Sequence, residues 1–392
     1  MTAAALDDRL SDEVERVRDD VIEIRRDLHR NPELSHQEQR TAALAAQRCG
    51  ELGFSVRTGV GGTGVVADLV SERPGPMLML RADMDALSVL ERDDGRPVRS
   101  QNDGVMHACG HDGHVAMTLG AAAVLSSMRD AWSGTLRCCF QPAEEIAGGA
   151  APMIDAEAAR DVDRVLGIHL WAQLDCGSVA VSDGVIFGSA DLFGISVHGR
   201  GGHGGMPHTT ADPVIAAAHV VTALQTLISR ETSPFNPAVV TIGRISGGTA
   251  ANVIADTVEL GGTVRALEQH ERERLLRRVA AVASDVAKAL GCSAEYTDVA
   301  GTPPVVNDPE VAALVRRAAA TVVGEERVIT PQPLTVGDDV ALFLQQAPGC
   351  YFLVGAGNAE APPHHSAAFD IDEKALPVGV ETLVRAALDI LR

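Results

Sequence analysis

Short apolar runs alternate with amphipathic helical periods through the first half of the chain, and that alternation restricts it to a sheet covered by helices. Leu10, Val14, Val17, Val21, Ile24 and Leu28 recur at three- and four-residue spacing, which predicts a helix ending near Asn31-Pro32. A second helix is expected from about Gln37 to Leu52, stopped by Gly53. Strand-like runs follow at Gly64 to Val70 and Met77 to Leu80, then an apolar helix from about His111 to Met128. Leu136 to Phe140, Val165 to Leu170 and Gly177 to Val181 continue the pattern. The expected fold class is α/β, with a mixed, largely parallel sheet.

Near residue 186 the pattern changes to strand (Leu192 to Val197), glycine-rich loop (Gly199 to Gly205) and a helix with Asp212 as N-cap and Pro213 at its first position. Two long strands, Ala238 to Ile245 and Val253 to Arg265, are split by Ser246-Gly247-Gly248-Thr249. A long amphipathic helix, Glu268 to Leu290, and a strand near Ala294 to Val299 complete this segment. Helix, strand and helix then return at Glu310 to Val323, Cys350 to Val354 and Ala375 to Arg392. The expected organisation is a discontinuous domain of residues 1–185 and 299–392, interrupted by a smaller α+β domain at 186–298.

Charge removes several function classes. Fifty-three acidic against 33 basic residues leave a formal charge of -20, the wrong sign for a nucleic-acid backbone or an anionic membrane surface. No run reaches the roughly 18 apolar residues needed to span a bilayer, and the first twenty residues lack an apolar signal core. A cytoplasmic protein is expected. Seven cysteines without a C-x-x-C spacing fit reduced thiols better than a disulfide framework.

The densest polar cluster runs from His107 to His114, where a loop enters a helix. Cys109 and His111 stand two apart, so an extended loop would direct both side chains to one side, and a thiolate with an imidazole suits a borderline-soft divalent metal. Taken alone, the segment also fits, less well, a loop whose histidines cap the helix, and His107 and His114 read as structural or as supports for ligands rather than as ligands. Glu144 and Glu145 follow the strand Leu136 to Phe140 after Gln141-Pro142-Ala143. Adjacent carboxylates at a strand end point apart, so one could bind metal while the other faces water. His169 ends one apolar strand, and Asp83 and Asp85 follow another; a buried-strand aspartate is costly unless it meets a cation or an imidazole N–H. His364-His365-Ser366 adds a candidate after a proline-rich loop. The G-x-G-x-x-G spacings at Gly59 and Gly199 do not open helices, and no Walker, H-E-x-x-H or G-x-S-x-G motif occurs.

Together, Leu28 to Ser35, Leu80 to Leu87, His107 to His114, Phe140 to Glu145 and Gly199 to His208 resemble the hippurate hydrolase and N-acyl-amino-acid amidohydrolase group of dinuclear aminoacylase-type metallopeptidases. The likeness runs from about residue 20 to the C-terminus. It implies two divalent ions per subunit (zinc, manganese, nickel or cobalt) held by Cys109, His111, Glu145, His169 and His365. It further implies Glu144 as general base, Asp83 as an orienting residue, and an inserted dimerisation or lid domain whose His203 polarises the scissile carbonyl in a homodimer partner's site. Asn252 and Arg265 match positions that hold the substrate's carboxylate. The implied activity is hydrolysis of a small N-acyl amino acid; a dipeptidase and a catalytically silent ligand-binding relative stay open beside it. The intact Glu144 weighs against the silent relative, because binding alone needs no base.

Overall fold

The computed structural model describes residues 3–392. The chain divides into two compact units. One comprises residues up to Ile186 together with Val306–Gln332 and Asp339–Arg392; the other comprises Phe187–Val305 and Pro333–Asp338.

The first unit is built on an eight-stranded mixed sheet. At its centre Thr135–Gln141, Met77–Asp83, Arg164–Asp175 and Gly349–Gly357 lie side by side and parallel. The outer strands are short or antiparallel, including Ser55–Val60 and Gly64–Val70. Parallel central strands are buried on both faces, which is why Met77–Asp83 opens on four apolar residues and Thr135–Gln141 is apolar apart from its ends and Arg137.

The helix Ala3–Arg30 buries Leu10, Val14, Val17, Val21, Ile24 and Leu28, the residues whose spacing announces it. It packs on the helices His111–Ser127 and Ala375–Ile390. His111–Ser127 shows little amphipathic character because nearly its whole circumference is buried. The three helices approach so closely at Gly120 that a Cβ there would stand 2.5 Å from Val21 and 3.0 Å from Val380. Among the described residues, no helix is long and apolar enough to cross a membrane.

The second unit is an antiparallel four-stranded sheet ordered Ala238–Gly247, Thr257–Ala266, Ala190–His198, Ser293–Thr302. Alternate residues Phe193, Ile195 and Val197 join Val258, Leu260 and Val264 in a core closed by Pro213–Thr226 and Gln269–Ala289. Two expectations are corrected here. Val253 to Arg265 is not one strand: Val253–Ile254 pairs with Gly202–His203 in a separate ladder, and only Thr257–Ala266 enters the sheet. The break arises at Asp256, whose side chain accepts the Gly201 N–H and whose carbonyl accepts the Gly199 N–H. The segment also extends beyond residue 298, because Ser293–Thr302 stays paired along Ala190–His198.

Asp212 caps Pro213–Thr226 by accepting the Val214 N–H at 2.9 Å. Asp212→Ala is expected to lower stability by about 1 kcal/mol, read as a lower urea midpoint with an unchanged slope.

Candidate metal centre

Asp83 is the last residue of Met77–Asp83 and lies opposite Gln141, the last residue of Thr135–Gln141. The carboxyl ends of central parallel strands are where open α/β sheets gather ligands. His169 comes from the neighbouring strand, His111 opens the helix His111–Ser127, and His364 and His365 come from the loop before Ala375–Ile390. Cys109 and His111 converge without an extended backbone, because Gly110 between them takes φ 93°. Only glycine adopts that left-handed geometry without strain, so the expected strand-like loop is replaced by a turn.

Glu144 and Glu145 likewise do not alternate from a strand end. They occupy a single 3-10 turn, Glu144–Ile146, bounded by Ala143 and Ala147, which are both left-handed at φ 53° and 52°. Each such non-glycine residue carries strain of about 1–3 kcal/mol. The turn therefore needs external hold. Asp85 supplies part of it: Oδ1 accepts the Glu144 N–H at 3.0 Å, and Oδ2 accepts the Glu145 N–H at 3.1 Å and the Ser35 hydroxyl at 2.6 Å. As a result both glutamates face the same imidazole, with His111 Nε2 3.9 Å from Glu144 Oε2 and 3.8 Å from Glu145 Oε1.

The hydrogen bonds assign the ring protons. His111 Nδ1 donates to the Asp85 carbonyl at 2.8 Å, which aims its Nε2 at the glutamates, and His169 Nδ1 donates to the Leu170 carbonyl at 2.6 Å, so the His169 Nε2 presents a lone pair. His169 Nε2 lies 3.6 Å from Cys109 Sγ. His114 Nε2 accepts the Leu170 N–H, so its Nδ1–H donates to Asp83 at 2.7 Å. Asp83 Oδ2 takes Arg81 at 2.6 Å. Asp83 thus stands behind His111 and His114, its nearest oxygen 3.9 Å from His111 Nδ1. His364 Nε2 accepts the Ala172 N–H, which leaves its Nδ1–H 3.8 Å from Cys109 Sγ. His365, at φ 64°, is tied through its N–H to the Ala108 carbonyl and places Nε2 3.4 Å from Glu145 Oε2.

Cys109, Glu145 and His365 form one group of possible ligand atoms, all within 4.8 Å of one another. His111, Glu144 and Glu145 form a second such group, and Cys109, His169 and His364 a third. Shared members join Cys109, His111, Glu145, His169 and His365 into one cluster with Glu144 at its side. The donor set fits divalent cations. His111 Nε2 and Glu145 Oε1 are buried without a hydrogen-bond partner, and their 3.8 Å separation suits two donors around one ion at about 2.0–2.2 Å from each. His107, also buried, has no hydrogen-bond partner on either ring nitrogen, and burial pushes it down to about 4, so it stays neutral. It belongs to none of these ligand groups.

Electrostatics divide the cluster: burial and neighbouring imidazoles lower His169, His364 and His365, while other members are pushed up. Burial, joined by the charges of Asp85 and Asp83, pushes Glu145 up to about 7. Burial and Glu145 raise the Cys109 thiol. Burial disfavours a charged His111, but Asp83, Asp85 and Cys109 outweigh it and raise the imidazole well above its ordinary value. Burial also opposes ionisation of Asp83, yet His111, Arg81 and His114 hold it well below the usual carboxylate range.

Behind the first turn of His111–Ser127, Asp112 receives Arg25 at 3.0 Å and His29 at 2.7 Å. His29 also meets Glu91 at 3.2 Å. The contacts of Asp85 with the glutamate turn, of Arg25 with Asp112 and of Glu91 with His29 have no local signature in the sequence, because each joins residues tens of positions apart.

In the second unit, His203 and Asn252 are neighbours: His203 pairs with Val253, and the Gly204 N–H donates to the Asn252 carbonyl at 2.8 Å. His203 Nδ1 accepts the Gly205 N–H at 2.9 Å. Arg265 lies elsewhere, opposite Val239 in the main sheet, where burial lowers its pKa.

Residues 79–389 match the family described as Peptidase family M20/M25/M40. The chain is 39% identical over 379 residues to thermostable carboxypeptidase 2 of Saccharolobus solfataricus, covering 95% of each chain. It is 39% identical over 356 residues to N-acetyl-L-cysteine deacetylase of Bacillus subtilis, covering 91% of this chain and 84% of that one. Among solved structures it resembles the Bacillus subtilis protein YXEP, a dinuclear metal-binding peptidase, with a TM-score of 0.83 at 32% identity over 96% of this chain and 99% of that one.

Asp85→Asn would turn an amide donor toward a backbone N–H of the Glu144–Glu145 turn. The expected result is zinc binding weakened about 10–100-fold, measured by competition with a chromophoric chelator.

Proposed function

The chain belongs to peptidase family M20/M25/M40, metal-dependent hydrolases of amide bonds, and from that premise we propose that it removes the acyl group from N-acyl amino acids, releasing a carboxylic acid and the free amino acid. The observation that carries this reading is the facing pair of partnerless buried atoms, His111 Nε2 and Glu145 Oε1, with the Glu144 carboxylate beside them. The deacetylase likeness supports an N-acyl substrate; the carboxypeptidase likeness keeps short peptides as the second reading.

Cys109, His111, Glu145, His169 and His365 would hold two divalent ions, drawn from zinc, manganese, nickel or cobalt. Such ions, when bound, lower the pKa of water to about 7 and polarise a carbonyl oxygen. Glu144 takes the proton released as water attacks the acyl carbon, and delivers it to the amine nitrogen as the C–N bond breaks. Its position permits this, because Asp85 fixes the backbone on which it stands. Asp83 keeps His114 in one tautomer and backs His111. His203 is assigned the donor to the tetrahedral oxyanion in a homodimer partner, worth about 3 kcal/mol by analogy with a single preorganised donor. Asn252 and Arg265 are assigned the substrate's carboxylate, for which a guanidinium offers a bidentate fork.

Glu144→Ala should lower kcat by about 10²–10⁴-fold while retaining metal, whereas Glu145→Ala should lose metal as well, both followed by metal analysis and turnover of N-acetyl amino acids and hippurate. Chelation should abolish turnover, and adding back each metal in turn across acyl amino acids and dipeptides should rank the substrates. Full wild-type activity in the chelated protein would exclude the metal-dependent reading. Mixing inactive His203→Ala with inactive Glu144→Ala subunits should recover activity if His203 serves its partner's site.

A further inference from the structure

Glu38 has no solvent exposure and stands immediately before the helix Gln39–Glu51. Its Oε1 accepts two backbone N–H groups, His36 at 2.8 Å and Ala143 at 2.9 Å. Both donors belong to left-handed residues, at φ 64° and 53°. Oε2 accepts the Thr63 hydroxyl. One carboxylate oxygen therefore satisfies two strained backbone positions, more than a hundred residues apart in the chain, and the second of them directly precedes Glu144. Among the described residues, the groups able to hold a metal do not include Glu38.

We propose that Glu38 is a positioning residue, which sets the placement of the Glu144 and Glu145 carboxylates through the Ala143 amide. The inference rests on the roles proposed above for those two side chains. Without an acceptor, the Ala143 N–H is left unpaired in the interior, and the hold on its left-handed conformation falls to the Gly148 N–H on its carbonyl and to Asp85 on the two amides that follow. Because φ and ψ of residue 143 orient the peptide planes that follow, such relaxation would swing the turn that carries both glutamates. The far side of the turn is held separately. Asp339 Oδ2 accepts the Ala150 N–H at 3.0 Å and the Gly149 N–H at 3.4 Å, and its Oδ1 takes Gln141 at 2.6 Å. Loss of Glu38 would therefore loosen one end of the segment and misplace the carboxylates without removing them.

Three variants separate reach from charge. Glu38→Gln keeps the length and an acceptor oxygen, Glu38→Asp keeps the charge but withdraws it by one methylene, and Glu38→Ala removes both. With N-acetyl amino acid as substrate and the metal-loaded full chain, Asp and Ala are expected to lower kcat about 10–100-fold with KM within about threefold of wild type, and Gln to remain within about threefold in both. Amide hydrogen exchange across residues 141–148 supplies a readout independent of turnover: protection should fall in the Asp and Ala variants and persist in Gln. A Gln variant that is slow and exchange-labile beside an Asp variant equal to wild type would show that charge, and not position, matters. Asp and Ala variants equal to wild type in kcat and exchange would show that the turn needs no hold from Glu38. Either result overturns the proposal. If Glu38→Ala fails to fold, the Asp and Gln pair still decides it. A wild type without amidohydrolase activity defeats the proposed function, while the exchange comparison continues to test Glu38.

Discussion

Two polar atoms left bare inside a folded core, Nε2 of His111 and Oε1 of Glu145, set the terms for what surrounds them. Each unmade hydrogen bond at a buried polar group costs about 1–3 kcal/mol, so such atoms persist only where the rest of the fold over-determines their placement. His111 cannot turn away, because its Nδ1 is held by the Asp85 carbonyl and its ring is backed by Asp83. Glu145 cannot turn away, because Asp85 also grips its backbone. One aspartate therefore fixes both halves of the buried pair, its main chain serving the imidazole and its side chain the glutamate turn.

The same device recurs around the centre. Buried carboxylates, placed by elements far apart in the chain, accept the N–H groups of loops that no ladder satisfies. Glu38 holds Ala143, Asp85 holds Glu144 and Glu145, and Asp339 holds Gly149 and Ala150. Asp112 plays the complementary part on the helix that begins at His111, where Arg25 and His29 converge on it from the helix Ala3–Arg30. A charged acceptor bonded to several amides is stronger than a neutral one, and it converts an irregular loop into a rigid platform. That rigidity keeps Ala143 in its strained left-handed conformation beside the centre.

How much of this was legible in the sequence follows from the range of each interaction. The face of the first helix is written in spacing alone, since Leu10 to Leu28 recur as the helix turns, and the buried parallel strands announce themselves as apolar runs. The residues gathered around Cys109 were nameable because thiol, imidazole and carboxylate side chains are distinctive and the motifs follow a family order. Where the determinant is a backbone contact, spacing does not reveal it. Val253 to Arg265 reads as one strand by periodicity, yet the Asp256 contacts to Gly199 and Gly201 break it. Glu144 and Glu145 read as alternating, yet a left-handed alanine before them turns both toward His111. Glu38 and Asp339 carry no mark at all, because a backbone N–H has no residue type and the partner lies in another part of the chain.

Charge decides what the centre is suited to hold. Asp83, Asp85, Glu144 and Glu145 bring four carboxyl groups close to His111, and Cys109 adds a thiol. Glu145, Cys109 and His111 are displaced toward keeping a proton, while burial lowers His169, His364 and His365 and leaves those imidazoles neutral, so the interior around the carboxylates is short of positive charge. Arg81 cannot make up the shortfall, since its guanidinium is buried and engaged with Asp83, Gln141 and Asp339. Nor can His114, whose two nitrogens are committed to Leu170 and Asp83. A compact cation of higher charge answers the deficit where a side chain cannot reach. It would neutralise the carboxylates and the thiol that gather around His111 and Cys109.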